Sequence, residues 1–447
     1  MKRPFVLLVL LSVLLALSLS PALAQEDVIE LHFMNWWDAS REQLMLDLIA
    51  RFEAENPGIK VINEVQPWDN RAELVSTAIS SSNPPSIIMT NRMETFQFAS
   101  LGLLAPIDQF VEESGLDLNV FYEGELGNQY WQGQLYALPM PTAGGLTGMF
   151  FYNKEMLAEA GFDAPPQTWQ ELRAIAEAIT VADDLGVEVL GVDVGTNGES
   201  FVNWLYTNGG KFVSDDGRTL EFNSPQGIET LQWMIDFTNE VNGGIENMTD
   251  FFQGQDFTAG DHPFYRSEQA IMSINTSNFG HLQANDPEMY ADTDRWGVML
   301  RPYNGDNPDA THAGVVGYSP VGGWGYTIPT ANPPEVQAAA YKFAEFIGAH
   351  ELGGCVFLFE QSRPSPVKSC NENEAYYETN PYWDTVLEGL AIDVAVPITP
   401  VQAQIADILN AKVQEAFFGV LTPEQALNEA AEEGQVILDG FWSSLDG

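Results

Sequence analysis

Segments typical of strands and helices alternate from Val28 to Leu101, and this order restricts the fold more than any other feature of the chain. Short apolar stretches are each followed by a stretch whose apolar residues recur at helical spacing. Strands are predicted at 28–34, 59–65 and 86–90, and helices at 41–55, 70–80 and 94–101. A strand, a helix and a second strand form a βαβ unit, whose right-handed crossover makes the strands parallel. The order predicts an open α/β sheet with ligands at the carboxyl ends of its strands.

A second α/β region begins near Phe150, and the 447 residues are enough for two domains. Thr168 and Glu171 have the spacing of a capping box at the start of a long amphipathic helix. Further strands are predicted at 189–194, 270–274 and 296–301, and further helices at 200–208, 226–240, 334–348, 401–418 and 423–438. The apolar stripes of the last two helices are typical of core packing.

The stretch from Gly133 to Lys154 joins the two regions. It has a turn and a short extended segment, then a crossing rich in Pro and Gly, then an apolar run of the kind found in buried strands. On these residues alone, an interior loop followed by a core strand is the simpler interpretation. A hinge between two lobes is the alternative.

The N-terminus has the three parts of a secretory leader. Lys2 and Arg3 precede an apolar run from Phe5 to Leu19, and Ala22-Leu23-Ala24 ends it with a cleavage motif, so we expect cleavage after Ala24. A membrane anchor is the alternative, but the run is short for a spanning helix. Because no cysteine lies near this motif, we expect no lipid anchor and a soluble, exported protein in the periplasm or an equivalent space.

The chain is strongly acidic, with a formal net charge of −45. Such a surface repels nucleic acid and anionic lipid. It also disfavours anionic ligands unless a local basic pocket exists, and the sequence shows no cluster of Lys and Arg. The acidity itself is interpreted as an adaptation for solubility or habitat.

Cys355 and Cys370 are the two cysteines of the chain. In an exported protein a disulfide between them is the default prediction, and two buried free thiols are the alternative. In the loop-entropy model such a bond stabilises the fold by roughly 3 kcal/mol.

The sequence has no familiar catalytic motif. It lacks a phosphate-binding loop, a nucleophile elbow and a zinc-binding His-Glu-x-x-His, and its five histidines are scattered without ligand spacing, so we expect neither metal nor cofactor. Paired carboxylates carry no information because the chain has 63 acidic residues.

Several tryptophans stand in turns or at the ends of elements, beside Asp, Asn and Arg. They are Trp36, Trp37, Trp68, Trp204 and Trp324. Sugars stack their C–H faces on aromatic rings and need donors and acceptors for their hydroxyls, so this pattern suits a carbohydrate cleft. For each tryptophan alone, a place in the core is an equally good interpretation.

Short motifs along the chain resemble those of a known family. They are Phe52-Glu-Ala-Glu55-Asn-Pro57-Gly58, Leu135-Tyr136-Ala-Leu-Pro139, Tyr152-Asn153-Lys154, Thr168-Trp169-Gln-Glu171-Leu172, Gln269-Ala-Ile-Met272, Gly322-Gly323 and Pro364. In these motifs the chain resembles the extracellular solute-binding proteins, family 1, of ABC sugar importers, a group that includes maltose-binding-protein-like receptors. The resemblance covers essentially the whole mature chain.

The resemblance implies an α/β fold of the two-lobe periplasmic-binding-protein type, class II, with a hinge between the lobes and a helical C-terminal part. It implies an N-terminal lobe of residues 26–136 and about 297–350, and a C-terminal lobe of residues 137–296 and about 351–447. With this resemblance the hinge becomes the better interpretation of the first crossing. Residues 136–139 then form the crossing strand, 140–145 face the cleft, and 150–152 belong to the second sheet.

The resemblance also implies ligand contacts from both lobes. They are Trp37, Asp38, Arg41, Glu64, Trp68, Thr90, Asn91, Arg92, Asn197, Glu199, Trp204, Asn278, Gly322, Gly323, Trp324 and Arg363. The family usually has a tryptophan after Met-x-Ile-Asn-Gly, whereas this chain reads Met272-Ser-Ile-Asn275-Thr-Ser277-Asn278-Phe279. A stacking ring is therefore lost here or moved to Phe279.

Two functions follow as hypotheses. The first is a monomeric receptor, without a cofactor, that closes on a sugar and delivers it to a membrane ABC permease. The second is a secreted glycosidase that uses two carboxylates of the cleft. For the receptor, Trp37→Ala or Trp324→Ala is predicted to weaken sugar binding and leave the fold intact.

Overall fold

The computed structural model describes residues 28–37, 40–68, 70–140, 148–183, 186–275, 278–316, 318, 323–397 and 401–446. The strands are β1 (Ile29–Asn35), β2 (Ile59–Val65), β3 (Ile87–Thr90), β4 (Tyr130–Trp131), β5 (Gln134–Leu135), β6 (Ala137–Pro139), β7 (Met149–Asn153), β8 (Val181–Asp183), β9 (Gly186–Val192), β10 (Gln269–Ile274), β11 (Trp296–Leu300), β12 (Gly314–Val316), β13 (Gly325–Thr327) and β14 (Asp393–Ala395). The helices are α1 (Ser40–Glu55), α2 (Arg71–Ile79), α3 (Arg92–Ser100), α4 (Asp108–Ser114), α5 (Glu123–Gly127), α6 (Lys154–Glu159), α7 (Trp169–Ile179), α8 (Gly198–Tyr206), α9 (Pro225–Glu240), α10 (Ile245–Phe251), α11 (Asn278–Asn285), α12 (Pro287–Ala291), α13 (Pro334–Ala349), α14 (Val356–Phe359), α15 (Ala375–Thr379), α16 (Trp383–Ile392), α17 (Gln402–Phe417) and α18 (Pro423–Asp446).

The first sheet has the order β2-β1-β3-β13-β6. β1 is parallel to β2 and β3, with Phe33 opposite Asn63 and Ile87, as the βαβ pattern predicts. β13 is antiparallel to β3 and β6, with Tyr326 opposite Met89 and Leu138. The carboxyl ends of β1, β2 and β3 therefore meet the start of β13 at one edge of the sheet.

The second sheet has the order β11-β7-β10-β9-β8. β10 is parallel to β9, and β7 is antiparallel to both β10 and β11. Helix α7 begins with the predicted capping box, in which Thr168 Oγ1 accepts from the Glu171 N–H at 3.3 Å. This helix lies so close to β9 that a Cβ atom at Gly191 would be 2.5 Å from the Cα of Ala176. Two sheets with their own helices agree with the predicted two-lobe α/β class.

Two short strands show where the chain lies relative to the two sheets. β6 lies in the first sheet beside β13, whereas β11 lies in the second sheet beside β7. The turn Glu351–Cys355 packs on α13, and α14 packs on α1 in the first lobe. The apolar pattern predicts that a strand exists but carries no information about which sheet it joins, and the lobe boundaries at residues 137 and 297 stay predictions.

A two-stranded parallel sheet of β12 and β14 lies where the lobes meet, with Gly314 opposite Asp393. A Cβ atom at Gly148 would lie 2.8 Å from the Cα of Gly314, so the entry into β7 crosses β12 at a distance that admits only glycine. The predicted cleft-facing segment 140–145 lies, apart from Met140, outside the described residues.

The predicted disulfide between Cys355 and Cys370 is present, with the Cα atoms 5.2 Å apart. Within the described part of the chain, no helix has both the length and the apolar character needed to cross a membrane.

Candidate functional site

Three tryptophan rings surround one arginine at the carboxyl edge of the first sheet. Trp36 follows β1, Trp68 follows β2, and Trp324 precedes the antiparallel β13, so all three reach this edge. The Cζ atom of Arg71 lies 5.5, 5.4 and 4.9 Å from the ring centroids of Trp36, Trp68 and Trp324. Each indole face attracts the guanidinium charge, so the rings hold Arg71 in place.

A buried carboxylate fixes the other side of Arg71. Its Nη1 donates to Glu94 Oε2 at 2.6 Å, and the two side chains are 13% and 9% exposed. Glu94 is held by the capping box of α3, since its Oε2 accepts from the Asn91 N–H while Asn91 Oδ1 accepts from the Glu94 N–H. Neither Arg71 nor Glu94 was predicted as a site residue, although Arg71 stands three residues after Trp68 in a helix that starts at the predicted edge.

We call the group of Arg71, Glu94 and the three tryptophans the first half-site. The exposure of each tryptophan ring decides whether a ligand can reach it. Trp68 is 55% exposed, whereas Trp36, Trp37 and Trp324 are 4%, 4% and 5% exposed. The rings of Trp68 and Trp324 lie 5.8 Å apart between centroids. Trp68 therefore provides the open aromatic face, and Trp324 supports it from below.

Three predicted contacts at the end of β3 are buried and form hydrogen bonds with neighbouring residues. Thr90 is fully buried, and its hydroxyl lies 2.8 Å from that of Thr95. Asn91 is used in the cap of α3. Arg92 is buried and donates to the carbonyls of Val316 and Val396 at the ends of β12 and β14, and burial lowers its pKa to about 9. The expectation that ligands bind at the carboxyl ends of the strands led to these residues. That expectation does not distinguish a buried side chain from one that is exposed to solvent.

Arg41 lies beside Trp37 in the first lobe. Its Cζ atom is 5.3 Å from the centroid of the Trp37 ring, which packs against Phe357 at 5.0 Å. Burial, and then the positive charge of Arg41, lower the pKa of Arg363 to about 10. The two arginines are 322 positions apart in the chain, so the sequence did not show this effect of one charge on the other. The predicted contacts Asp38 and Gly322 lie outside the described residues.

Two other predicted residues of the first lobe, Glu64 and Gly323, contact residues other than Arg71 and its three tryptophans. Glu64 Oε1 lies 2.7 Å from His32 Nδ1, and this hydrogen bond raises the pKa of His32. Gly323 has a φ of 66° and packs against Arg92, where a side chain would be strained.

The second half-site is a cavity of about 340 Å³ at the carboxyl ends of β9 and β10. Its lining is polar and includes Asp193, Asn197, Glu199, Ser200, Asn203, Ser273, Asn275, Asn278 and Arg301. Three of these, Asn197, Glu199 and Asn278, were predicted. Asn197 Oδ1 accepts from the Ser200 N–H and caps α8, and Asn278 Oδ1 accepts from the Asn275 N–H.

Arg301 and Asp193 are the charged residues of this cavity that sequence reasoning missed. Arg301 Cζ lies 4.7 Å from the Trp204 ring centroid and 4.9 Å from that of Phe150. Burial lowers the pKa of Arg301 to about 9, and the charge of Glu199 opposes this shift. Burial also raises the pKa of Asp193. Both residues directly follow strands of the structure, β9 and β11, but they lie inside the predicted strands 189–194 and 296–301, so the sequence did not mark them as strand-end residues.

Two rings expected at the cleft belong to the core. Trp204 is 1% exposed and donates from Nε1 to the Val194 carbonyl at 2.7 Å, so it lies beneath Arg301. Phe279 is 4% exposed and packs edge-on against Phe151 at 5.1 Å, so it does not replace the missing family tryptophan. Among the described residues no group of three or more His, Cys, Asp or Glu could hold a metal ion.

Two α/β lobes, linked by short crossing segments and each carrying polar and aromatic groups at its strand ends, define a two-lobe binding protein. The family of bacterial extracellular solute-binding proteins matches residues 38–352, and the chain belongs to this family. Membership confirms the predicted class of ABC solute receptor over the glycosidase alternative.

The curated relatives include the sn-glycerol-3-phosphate-binding periplasmic protein UgpB of Escherichia coli K12. It is 23% identical over 423 residues, which cover 89% of this chain and 90% of UgpB. Among solved structures, the sugar-binding protein MalE of Xanthomonas citri has a TM-score of 0.75 at 18% identity, over 93% of this chain and 99% of that one. The cyclic α-maltosyl-1,6-maltose binding protein of Arthrobacter globiformis has a TM-score of 0.73 at 20% identity, over 92% and 100%. At these identities the solved structures show a common fold.

Proposed function

We propose that this protein binds a carbohydrate between its two half-sites and delivers it to a membrane ABC permease. The observation that carries the proposal is the group of Arg71, Glu94 and three tryptophans, in which only Trp68 presents an open face. A pyranose ring can stack on Trp68 while Arg71 donates to its oxygens. The second cavity, lined by amides, carboxylates and Arg301, supplies the donors and acceptors for the other side of the sugar.

Closure of the lobes would make both sets of contacts at once. A ligand shifts an equilibrium between open and closed states by the difference in its affinity for them. Because the half-sites belong to different sheets, a sugar gains contacts with both of them only in the closed state.

A thermal-shift screen over mono-, di- and trisaccharides tests the proposal. A ligand at 100 times its Kd stabilises the folded state by about 2.7 kcal/mol, which raises Tm measurably. Calorimetry then gives the affinity of each saccharide that shifts Tm. A folded protein whose Tm is unchanged by every saccharide at millimolar concentration would contradict a carbohydrate ligand.

A phosphorylated polyol is a second candidate, favoured by Arg363. Burial lowers the pKa of its guanidinium to about 10, and a planar guanidinium can donate two hydrogen bonds to a phosphate. The curated relatives are named for binding sn-glycerol 3-phosphate. The net charge of −45 acts against an anion at long range, so this candidate depends on the local charge of Arg363.

Arg363→Met separates the two candidates. If the ligand is anionic, the variant should lose about 10- to 100-fold in affinity for sn-glycerol 3-phosphate, because a hydrogen bond to a charged group is worth about 1.5–3 kcal/mol. Affinity for a neutral saccharide should change less than about threefold. Arg51→Met, an exposed position on the same α1 helix as Arg41, is the control for net charge. Equal losses for charged and neutral ligands would refute an anion-binding role.

We also propose that the mature protein is a soluble monomer, cleaved after Ala24 and without a lipid anchor. The cleavage motif and the absence of a cysteine beside it support this. Mass spectrometry of the exported protein and light scattering test the N-terminus and the mass.

A further inference from the structure

The segment closed by the disulfide packs against the carboxyl end of β1 in the first lobe. It runs from Cys355 to Cys370 and includes α14. From this segment Phe357 packs against the ring of Trp37, which follows β1, at 5.0 Å. The positive charge of Arg41, at the start of α1, also helps to lower the pKa of Arg363.

The backbone at Arg363 has an unusual conformation that several bonds maintain. Ser362 has a φ of 54°, in the left-handed region that a residue with a side chain rarely adopts. The Arg363 N–H donates to the Leu358 carbonyl at 3.0 Å, and the Arg363 carbonyl accepts from the Tyr376 hydroxyl at 2.8 Å. The Tyr376 ring is stacked on Trp383 at 4.0 Å, so its hydroxyl is held firmly.

The far end of the segment is tied to its start by the disulfide and to itself by hydrogen bonds. Asn371 Oδ1 accepts from the Ser365 N–H at 2.7 Å, and Asn371 Nδ2 donates to the Ser365 carbonyl at 2.9 Å. Cys355 ends the turn that follows α13, and Cys370 lies in the turn Lys368–Glu372. The disulfide therefore restrains the position of Cys370, which lies beyond Arg363 in the chain, relative to α13.

We propose that the Cys355–Cys370 disulfide is a positioning element of the binding site, which holds Phe357 against Trp37 and fixes the backbone that carries Arg363. The consequence for affinity rests on the proposed function. Reduction by a dithiol breaks the S–S bond with two electrons and two protons to give two thiols, while the dithiol becomes a disulfide. The segment then depends on hydrogen bonds alone to keep Ser362 left-handed.

Hydrogen exchange of the ligand-free protein tests the positioning without any assumption about the ligand. In the double variant Cys355→Ser/Cys370→Ser, amides from Gln361 to Ser365 should exchange at least tenfold faster than in the wild type. Amides of α9, in the other lobe, should stay within twofold. Unchanged exchange at Gln361 to Ser365 would overturn the proposal. If the variant does not fold, wild-type protein reduced with dithiothreitol and alkylated is measured instead.

The affinity of the double variant for a ligand distinguishes a positioning role from a purely stabilising one. A disulfide that only stabilises the fold would leave this affinity unchanged in the folded protein. With glucose 6-phosphate and glucose as probes, the variant should bind the probe that the wild type prefers at least tenfold more weakly at a temperature where both proteins are folded. Arg363→Lys with the disulfide intact should keep part of that affinity. Faster exchange with unchanged affinity would overturn the link to binding. If the wild type binds neither probe nor any saccharide, the proposed function fails while the exchange result still decides the positioning.

Discussion

Trp68→Ala is expected to weaken carbohydrate binding at least tenfold and to leave Tm nearly unchanged. Trp68 is 55% exposed, so its ring contributes little to the core, and its open face is where a sugar would stack. Loss of a stacked ring together with its apolar contact is worth about 1.4 kcal/mol or more, which is a factor of ten in Kd. Calorimetry with the best saccharide of the screen, and a thermal melt of the ligand-free protein, measure the two effects.

Tyr377→Ala is the matched control. Tyr377 is 45% exposed on α15, and its hydroxyl bonds Asp384 at 3.0 Å, away from both half-sites. The variant should bind sugar as the wild type does. Wild-type affinity in Trp68→Ala would remove the first half-site from the proposal.

The variants Trp37→Ala and Trp324→Ala would change the packing of the core as well as any contact with the sugar. Both rings are about 95% buried, at 4% and 5% exposure. Truncation of a buried aromatic ring typically costs about 3–5 kcal/mol because it leaves a cavity. Weaker binding in these variants would report disturbed packing together with any lost contact, so they do not separate the site from the fold.

The sequence predicts the edge of the first sheet well because the information is local. The spacing of the apolar residues and the capping residues of the helices indicate where β1, β2 and β3 end. The parallel βαβ order then brings those ends together. Trp68 was predicted by this reasoning, and Arg71 stands three residues further along the chain. Asp193 and Arg301 were missed because the predicted strands 189–194 and 296–301 run one or two residues past the ends of β9 and β11.

Exposure and long-range proximity could not be predicted in this way. Trp68 and Trp204 look alike in sequence, yet one is open to solvent and the other lies beneath Arg301. The charge of Arg41 acts on Arg363 only after the chain has passed through the second lobe and returned. β6 and β11 are short apolar strands that could pair in either sheet, and hydrogen bonding to β13 and β7 decides their place.

Two buried carboxyl groups at the lobe junction lead to a prediction about pH. Glu125 on α5 is 1% exposed, and its Oε1 has no hydrogen-bond partner among the described residues. Neither carboxylate oxygen of Asp393, at the start of β14, has a partner in the same part of the chain. Burial raises the pKa of Glu125 to about 8, and burial followed by the charge of Glu125 raises the pKa of Asp393. Since α5 packs on β14, the two carboxyl groups lie beside the two-stranded sheet of β12 and β14.

Glu125→Gln is expected to stabilise the protein by an amount that grows with pH. The folded state keeps a proton on Glu125 up to about pH 8, whereas the unfolded chain releases it near the ordinary value of 4.5. Wild-type stability therefore falls between these two pH values, because the folded state binds more protons there. Each pKa unit is worth about 1.4 kcal/mol, so the variant should gain several kcal/mol by pH 8 and little at pH 4.5.

Urea unfolding of both proteins at pH 5, 6, 7 and 8 measures this difference, with Glu123→Gln as the control. Glu123 is exposed on the same helix, so its substitution should shift stability by less than about 0.5 kcal/mol at every pH. Parallel curves for wild type and Glu125→Gln would show that Glu125 ionises normally in the folded protein. A gain that grows with pH would show that the folded protein holds a neutral carboxyl group at Glu125, beside β14.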